Sequence, residues 1–274
     1  MNSAQYEYLD GQLRASHKAL FERFAAASEA AAAGGRAELD LRYGLHPRQR
    51  FDRFPAEGPA RATVVYFHGG YWQARDKADF RFLAPPLASD GFDVVLANYP
   101  LCPEASLGEI GAATPALMPH LKGPIVLVGH SAGGQIVVEL GMAARARGWD
   151  VAGIVAISGV FDLVPLVQTS LNVKLGLDRQ AARSVSPMYR ARTGSPPAVF
   201  AVGADETDAF RRQTRLMRGA WAAAGNQACE LEVAGADHFS VLESLCGEHG
   251  VLHEALGGFA RGGGYASPEA SEGA

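Results

Sequence analysis

Ser131 stands in Gly129-His-Ser-Ala-Gly133, a G-x-S-x-G pentapeptide. Glycines two residues to either side let the backbone close a sharp turn without Cβ clashes. An apolar run before the motif and a helical pattern after it set the hydroxyl at the tip of a strand-turn-helix. That arrangement suits nucleophilic attack on a carbonyl, given a base for the serine proton and donors for the developing oxyanion. Candidate donors follow another apolar run, in His68-Gly-Gly-Tyr-Trp72. There the backbone N–H groups of Gly69 and Gly70, or of Tyr71, can be joined by that of Ala132. An incidental serine in a turn is the bland alternative for the first motif, and a plain β-turn for the second. Their joint presence argues against both.

The chain has eight histidines. His238, in Asp237-His-Phe-Ser240, follows the last predicted strand. His68 and His130 lie inside the two motifs, where packing and hydrogen bonding around the turns are the expected roles. His249 and His253 have metal-ligand spacing on a predicted helix. No third ligand stands nearby and no H-E-x-x-H occurs, so a solvated face is expected and no metal site. His17, His46 and His120 belong to no constellation. A carboxylate to hold an imidazole is available in Gly203-Ala-Asp-Glu206, as Asp205 or Glu206. Asp162 and Asp178 are weaker alternatives.

These residues need a frame. Continuous apolar runs predict strands at 63–67, 92–97, 124–128, 151–157 and 197–202, covered on both faces. Shorter strands are expected at 39–43, 51–54 and 229–233. Helical patterns fall at 1–34, 78–89, 107–121, 132–147, 208–224 and 241–259. Alternating strands and helices mean a mostly parallel sheet with helices on both faces. Residues 161–193 break the rhythm and are expected as a small cap-like insertion over the carboxyl edge of the sheet. One domain is expected over 1–261, with 262–274 a disordered tail.

In chain order, these stretches resemble the kynurenine formamidases (arylformamidases) of the α/β-hydrolase type. They are more distantly similar to the hormone-sensitive-lipase-like esterases. The matching segments are His68-Gly-Gly-Tyr-Trp-Gln73, Gly129-His-Ser-Ala-Gly133, Ser158-Gly-Val-Phe-Asp-Leu163, the ETDAFRRQ run from Glu206 to Gln213, and Asp237-His-Phe239. They span roughly residues 40 to 246, and the HGGYW pentapeptide is the specific one. The resemblance implies the α/β-hydrolase fold and the chain order serine, acid, histidine, which makes His238 the base. In the family the acid stands four residues before the Phe of an E-F-x-x-Q pattern. That Phe is Phe210 here, so Glu206 is carried over, with Asp205 as the alternative acid. Asn98-Tyr-Pro-Leu-Cys-Pro-Glu104 is similar to a segment of both groups and is read as structural. The implied activity is hydrolysis of N-formyl-L-kynurenine to L-kynurenine and formate, in tryptophan catabolism. A carboxylesterase of small acyl esters is the alternative. A non-catalytic relative is disfavoured because every triad position is occupied.

Tyr71, Trp72, Phe161 and Phe239 cluster by sequence around the site and are expected to wall an aromatic substrate. Ser170 and Asn172 are candidates for the amino-acid end. No nucleotide loop or flavin motif is seen, so no cofactor is expected. The 274 residues are 48% hydrophobic and 20% charged with a net charge of −4, which suits a globular chain and gives no basic field for nucleic acid or an anionic membrane. Three cysteines without a C-x-x-C pair argue against a disulfide scaffold. Met1 to Arg23 is polar and charged, unlike a signal peptide, and a cytoplasmic protein acting on a small molecule is expected. A homodimer is compatible with the sequence.

Overall fold

The apolar runs become the strands of one eight-stranded sheet in a computed structural model, which describes residues 3–247, 250–263 and 265. The strands are β1 (Glu38–Arg42), β2 (Arg50–Phe54), β3 (Ala62–Phe67), β4 (Phe92–Ala97), β5 (Ile125–His130), β6 (Val151–Ile157), β7 (Ala198–Gly203) and β8 (Ala228–Val233). Their order is β1-β2-β4-β3-β5-β6-β7-β8. Strands β3 to β8 run parallel, and β2 is antiparallel to both β1 and β4. Every residue of β3, β5 and β7 is buried, as expected where helices cover both faces.

The helices are α1 (Ser3–Tyr8), α2 (His17–Ala33), α3 (Ala84–Ser89), α4 (Leu107–Ala113), α5 (Ala132–Arg147), α6 (Asn172–Leu175), α7 (Arg179–Ser184), α8 (Asp208–Ala223) and α9 (Val251–Ala260). Ile110, Ile136, Val137 and Met217, from α4, α5 and α8, belong to one apolar core cluster. Leu87, Leu252 and Leu256, from α3 and α9, belong to the other. Among the described residues, no helix is long and apolar enough to cross a membrane. The expected tail at 262–274 lies mostly outside the described residues.

Several predicted helices are shorter than their periodicity suggests. Pro119 lies inside a 3-10 segment, Thr114–His120, that ends the pattern at 107–121. A 3-10 segment, Lys77–Leu83, likewise precedes α3, which starts at a Pro85-Pro86 pair. The largest departure is at the amino end, where the single helix expected over 1–34 is interrupted. A 3-10 turn, Asp10–Gln12, and an extended Leu13 (φ −77°, ψ 136°) separate α1 from α2. Tertiary hydrogen bonds account for the break. Gln12 Nε2 donates to Thr207 Oγ1 at 2.6 Å, Thr207 Oγ1 donates to the Glu7 carbonyl at 2.7 Å, and Arg14 donates to the Asp205 carbonyl at 3.0 Å. These bonds bind the amino-terminal segment to the loop after β7.

Four loops leave the carboxyl ends of β3, β5, β7 and β8. They carry Gly69-Gly70, Ser131, Glu206 and His238 respectively. In an open α/β sheet this edge is where ligands bind.

Candidate active site

Ser131 has φ 54° and ψ −116°, between the end of β5 and the start of α5. A non-glycine residue there is strained, and the strain is sustained by close backbone packing on both sides. A Cβ on Gly129 would lie 2.1 Å from the Gly133 carbonyl oxygen, and one on Gly133 would lie 1.9 Å from that of Phe67. The serine is therefore held at the tip of a turn that only glycines can close. The Ser131 N–H donates to Ile157 O at 2.8 Å, which ties the turn to the neighbouring strand.

His238 Nδ1 lies 2.7 Å from Glu206 Oε2, and both side chains are buried. Glu206 Oε1 accepts from Ser158 Oγ at 2.5 Å and from the Gly203 N–H at 2.9 Å. The carboxylate is thus oriented on both oxygens, and its Nδ1 contact leaves Nε2 as the imidazole nitrogen for proton exchange. Asp205 is exposed and does not share this contact. Asp162 caps a turn by accepting from the Val164 N–H, and Asp178 caps α7 by accepting from the Ala181 N–H. Ser158 had no role assigned from sequence, although it opens one of the matching stretches.

After β3 the chain turns through three consecutive left-handed residues, Gly70 (φ 109°), Tyr71 (φ 51°) and Trp72 (φ 57°). The Gly70 carbonyl accepts from the Gln73 and Ala74 N–H groups and closes the turn. Ala132 is the first residue of α5, so its N–H is among the four that a helix leaves without an intrahelical partner. His68 is stacked between Phe80 and Tyr99, with Nδ1 2.7 Å from the Gly69 carbonyl. His130 Nε2 lies 2.7 Å from the His238 carbonyl. A carbonyl only accepts, so Nε2 carries the His130 proton. Burial lowers the His68 pKa to about 4 and pushes that of His130 well below the ordinary range, and both rings are neutral.

Ser131, His238, Gly69 and Gly70 line one cavity of about 400 Å³. Its other walls include Leu9, Leu13, Phe21, Phe24, Phe80 and Phe239, a largely apolar surface suited to an aromatic group. Two of the four predicted aromatic walls are present, Tyr71 and Phe239. The Tyr71 hydroxyl donates to the Tyr8 carbonyl, and Phe239 packs edge-on against His238 at 5.1 Å. The other two belong to the core. Trp72 is fully buried with Nε1 donating to Gln135 Oε1 at 3.3 Å, and Phe161 is fully buried against Phe200 at 5.6 Å.

The cover is also not the expected one. Residues from α1, the Asp10–Gln12 turn and α2 line the cavity, whereas residues 161–193 are not among its walls. That insertion instead packs beneath the amino-terminal segment, where the Ser170 N–H donates to Gln5 Oε1 at 3.0 Å. Asn172 is engaged by its own loop, donating to the Val167 and Leu177 carbonyls. Neither residue reaches the cavity.

His17, assigned no partner from sequence, lies 2.9 Å from Asp237 Oδ2 and edge-on to Phe239 at 4.8 Å. Asp237 is pulled in opposite directions. Burial raises its pKa, but the Ser240 and Phe239 N–H groups and His17 outweigh burial and bring it to about 2. This contact ties α2 to the loop that carries His238. His253 is not on a solvated face: it is buried, with Nε2 3.0 Å from Asp90 Oδ2. His249 lies outside the described residues.

Comparison with known proteins agrees with this geometry at the level of fold and family. The model of a family described as the alpha/beta hydrolase family matches residues 64–252. A kynurenine formamidase of Danio rerio is 28% identical over 236 residues, which is 80% of each chain. A crystal structure from Silicibacter sp. TM1040, provisionally named a thioesterase, is 32% identical with a TM-score of 0.83, covering 92% of this chain and 98% of that one. An esterase of Pyrobaculum calidifontis shares the fold, with a TM-score of 0.69 at 21% identity over 89% of this chain and 91% of its own.

Proposed function

The chain belongs to the alpha/beta hydrolase family, and from that premise we propose that it is an arylformamidase, hydrolysing N-formyl-L-kynurenine to L-kynurenine and formate. The observation that carries this reading is the buried Glu206–His238 pair together with a strained Ser131, His238 and Ser131 both facing an apolar, aromatic-walled cavity.

Ser131 Oγ attacks the formyl carbon while His238 Nε2 takes its proton. Glu206 stabilises the imidazolium and fixes the ring, without accepting the proton itself. The carbonyl oxygen becomes an oxyanion held by the N–H groups of Gly69 or Gly70 and of Ala132. On collapse the C–N bond breaks and His238 returns the proton to the departing aryl amine. A water then attacks the formyl-serine with His238 again as base, releasing formate and restoring Ser131. The formyl group has hydrogen where other acyl groups have carbon, so a shallow oxyanion pocket accommodates it. Tyr71 and Phe239 flank the aryl ring. The name of the Danio rerio relative supports the choice of substrate.

The test is release of formate and L-kynurenine from N-formyl-L-kynurenine by the purified protein and by Ser131→Ala. Turnover in the native chain and a loss of at least about a thousandfold in the variant are expected. Near-native turnover in the variant would contradict the assignment of the nucleophile.

A further inference from the structure

The proposed mechanism leaves two charged side chains of the cavity unused, Arg75 and Asp79. They are the cation and the carboxylate of a lining that is otherwise apolar apart from Gln12, Tyr8 and the residues assigned above. The Arg75 guanidinium lies 5.0 Å over the Phe21 ring. A guanidinium held over an aromatic ring retains N–H donors for an anion. Its charge is felt at the catalytic turn, where it adds to burial and to His238 in keeping His130 neutral.

Asp79 is held more tightly. It sits in the first turn of the Lys77–Leu83 segment, where Oδ2 accepts from the Asp76 N–H at 3.2 Å as part of a capping box. Its carbonyl accepts from Ser28 Oγ of α2 at 3.1 Å. One cap bond leaves most of the acceptor capacity of a carboxylate unused. Arg75 and Asp79 therefore present opposite charges from one short stretch of chain at one cavity. That combination matches a ligand bearing both an anion and a cation.

We propose that Arg75 and Asp79 form a subsite for an α-amino acid, Arg75 taking the carboxylate and Asp79 the ammonium group, while the aryl end of the ligand reaches Ser131. The choice of an aromatic ketone as that end rests on the reading given under Proposed function. The pair discriminates between substrates: a neutral ester gains nothing from it, whereas a zwitterion gains two charge-assisted contacts. Both side chains are exposed, so the expected gain is moderate.

Binding tests this without turnover. L-Kynurenine and 2-aminoacetophenone, which is the same aryl ketone without the amino-acid end, are titrated calorimetrically into the native protein, Arg75→Gln, Arg75→Lys and Asp79→Asn. The native protein is expected to bind L-kynurenine at least about tenfold more tightly than 2-aminoacetophenone. Arg75→Gln and Asp79→Asn should each remove most of that preference, and Arg75→Lys should retain part of it. The affinity for 2-aminoacetophenone should be the same in all four proteins, which also reports that each variant is folded. A native protein without the preference, or variants that keep it, would overturn the subsite. Because no bond is cleaved, the subsite can stand even if formamide turnover is absent, and it can fail even if turnover is present.

Discussion

Glu206 is the residue on which the site's electrostatics turn. Its two oxygens are shared among His238, Ser158 and the Gly203 N–H, so its removal leaves a buried imidazole without the partner that sets its tautomer. Glu206→Ala should lower kcat/KM by at least about a hundredfold. Asp205→Ala should stay within about threefold of native, because Asp205 is exposed and, among the described residues, is bonded through its backbone. Steady-state kinetics on the two variants checks this, and reversed losses would make Asp205 the acid. At this scale the motif residues were legible because each must occupy a loop end with restricted backbone geometry, which leaves a mark in glycines and spacing. The aromatic walls were less so. Tyr71 and Trp72 are adjacent, yet the first lines the cavity and the second is fully buried in the core. Nearness in sequence does not say which way a side chain faces in a turn of left-handed residues.

Strands and helices place these residues, and the β5–α5 turn places the most demanding of them. A methyl group on Gly133 would overlap the Phe67 carbonyl oxygen at the end of β3, where neither backbone can yield without moving the sheet. Gly133→Ala should therefore destabilise by more than about 3 kcal/mol, seen as a drop in Tm of roughly 6 °C or more. An unchanged Tm would contradict the packing of the turn. Five of the eight strands, β3 to β7, could be read as apolar runs because they lie inside the parallel part of the sheet and are largely buried, whereas the edge strand β8 is only partly buried and reads as a shorter strand. The amino-terminal break could not. Its helical periodicity is real, but hydrogen bonds from Gln12 and Arg14 to residues nearly two hundred positions away override it. A local pattern also does not say where a segment docks, which is why the insertion at 161–193 was expected to cover the cavity and the amino-terminal helices do so instead.

For the molecule as a whole, buried neutral histidines make stability depend on pH. The His68 pKa falls from 6.5 to about 4 on folding, chiefly through burial, and burial also pushes that of His130 well below its ordinary value. Between these values the unfolded chain binds protons that the folded chain does not. Stability is therefore present in full above about pH 6.5 and declines as the pH falls toward 4, by up to about 1.4 kcal/mol per pH unit for each ring. Urea unfolding from pH 7 to 4 should show this slope, flattened in His68→Asn. An equal slope in native protein and variant would count against it. The choice of substrate is also a property of the whole molecule, since Ser131 comes from the end of a sheet strand and much of the cavity wall from the amino-terminal helices. An ester is intrinsically easier to cleave than an amide, so ester hydrolysis alone does not distinguish a formamidase from an esterase. The most direct measurement is the ratio of kcat/KM for N-formyl-L-kynurenine to that for a series of aryl esters of increasing acyl length. The formamide should lead every ester by at least about tenfold, or about 1.4 kcal/mol of differential transition-state binding, with longer acyl chains progressively poorer. A butyrate or hexanoate ester that clearly exceeds the formamide would contradict the formamidase reading and identify the protein as an esterase.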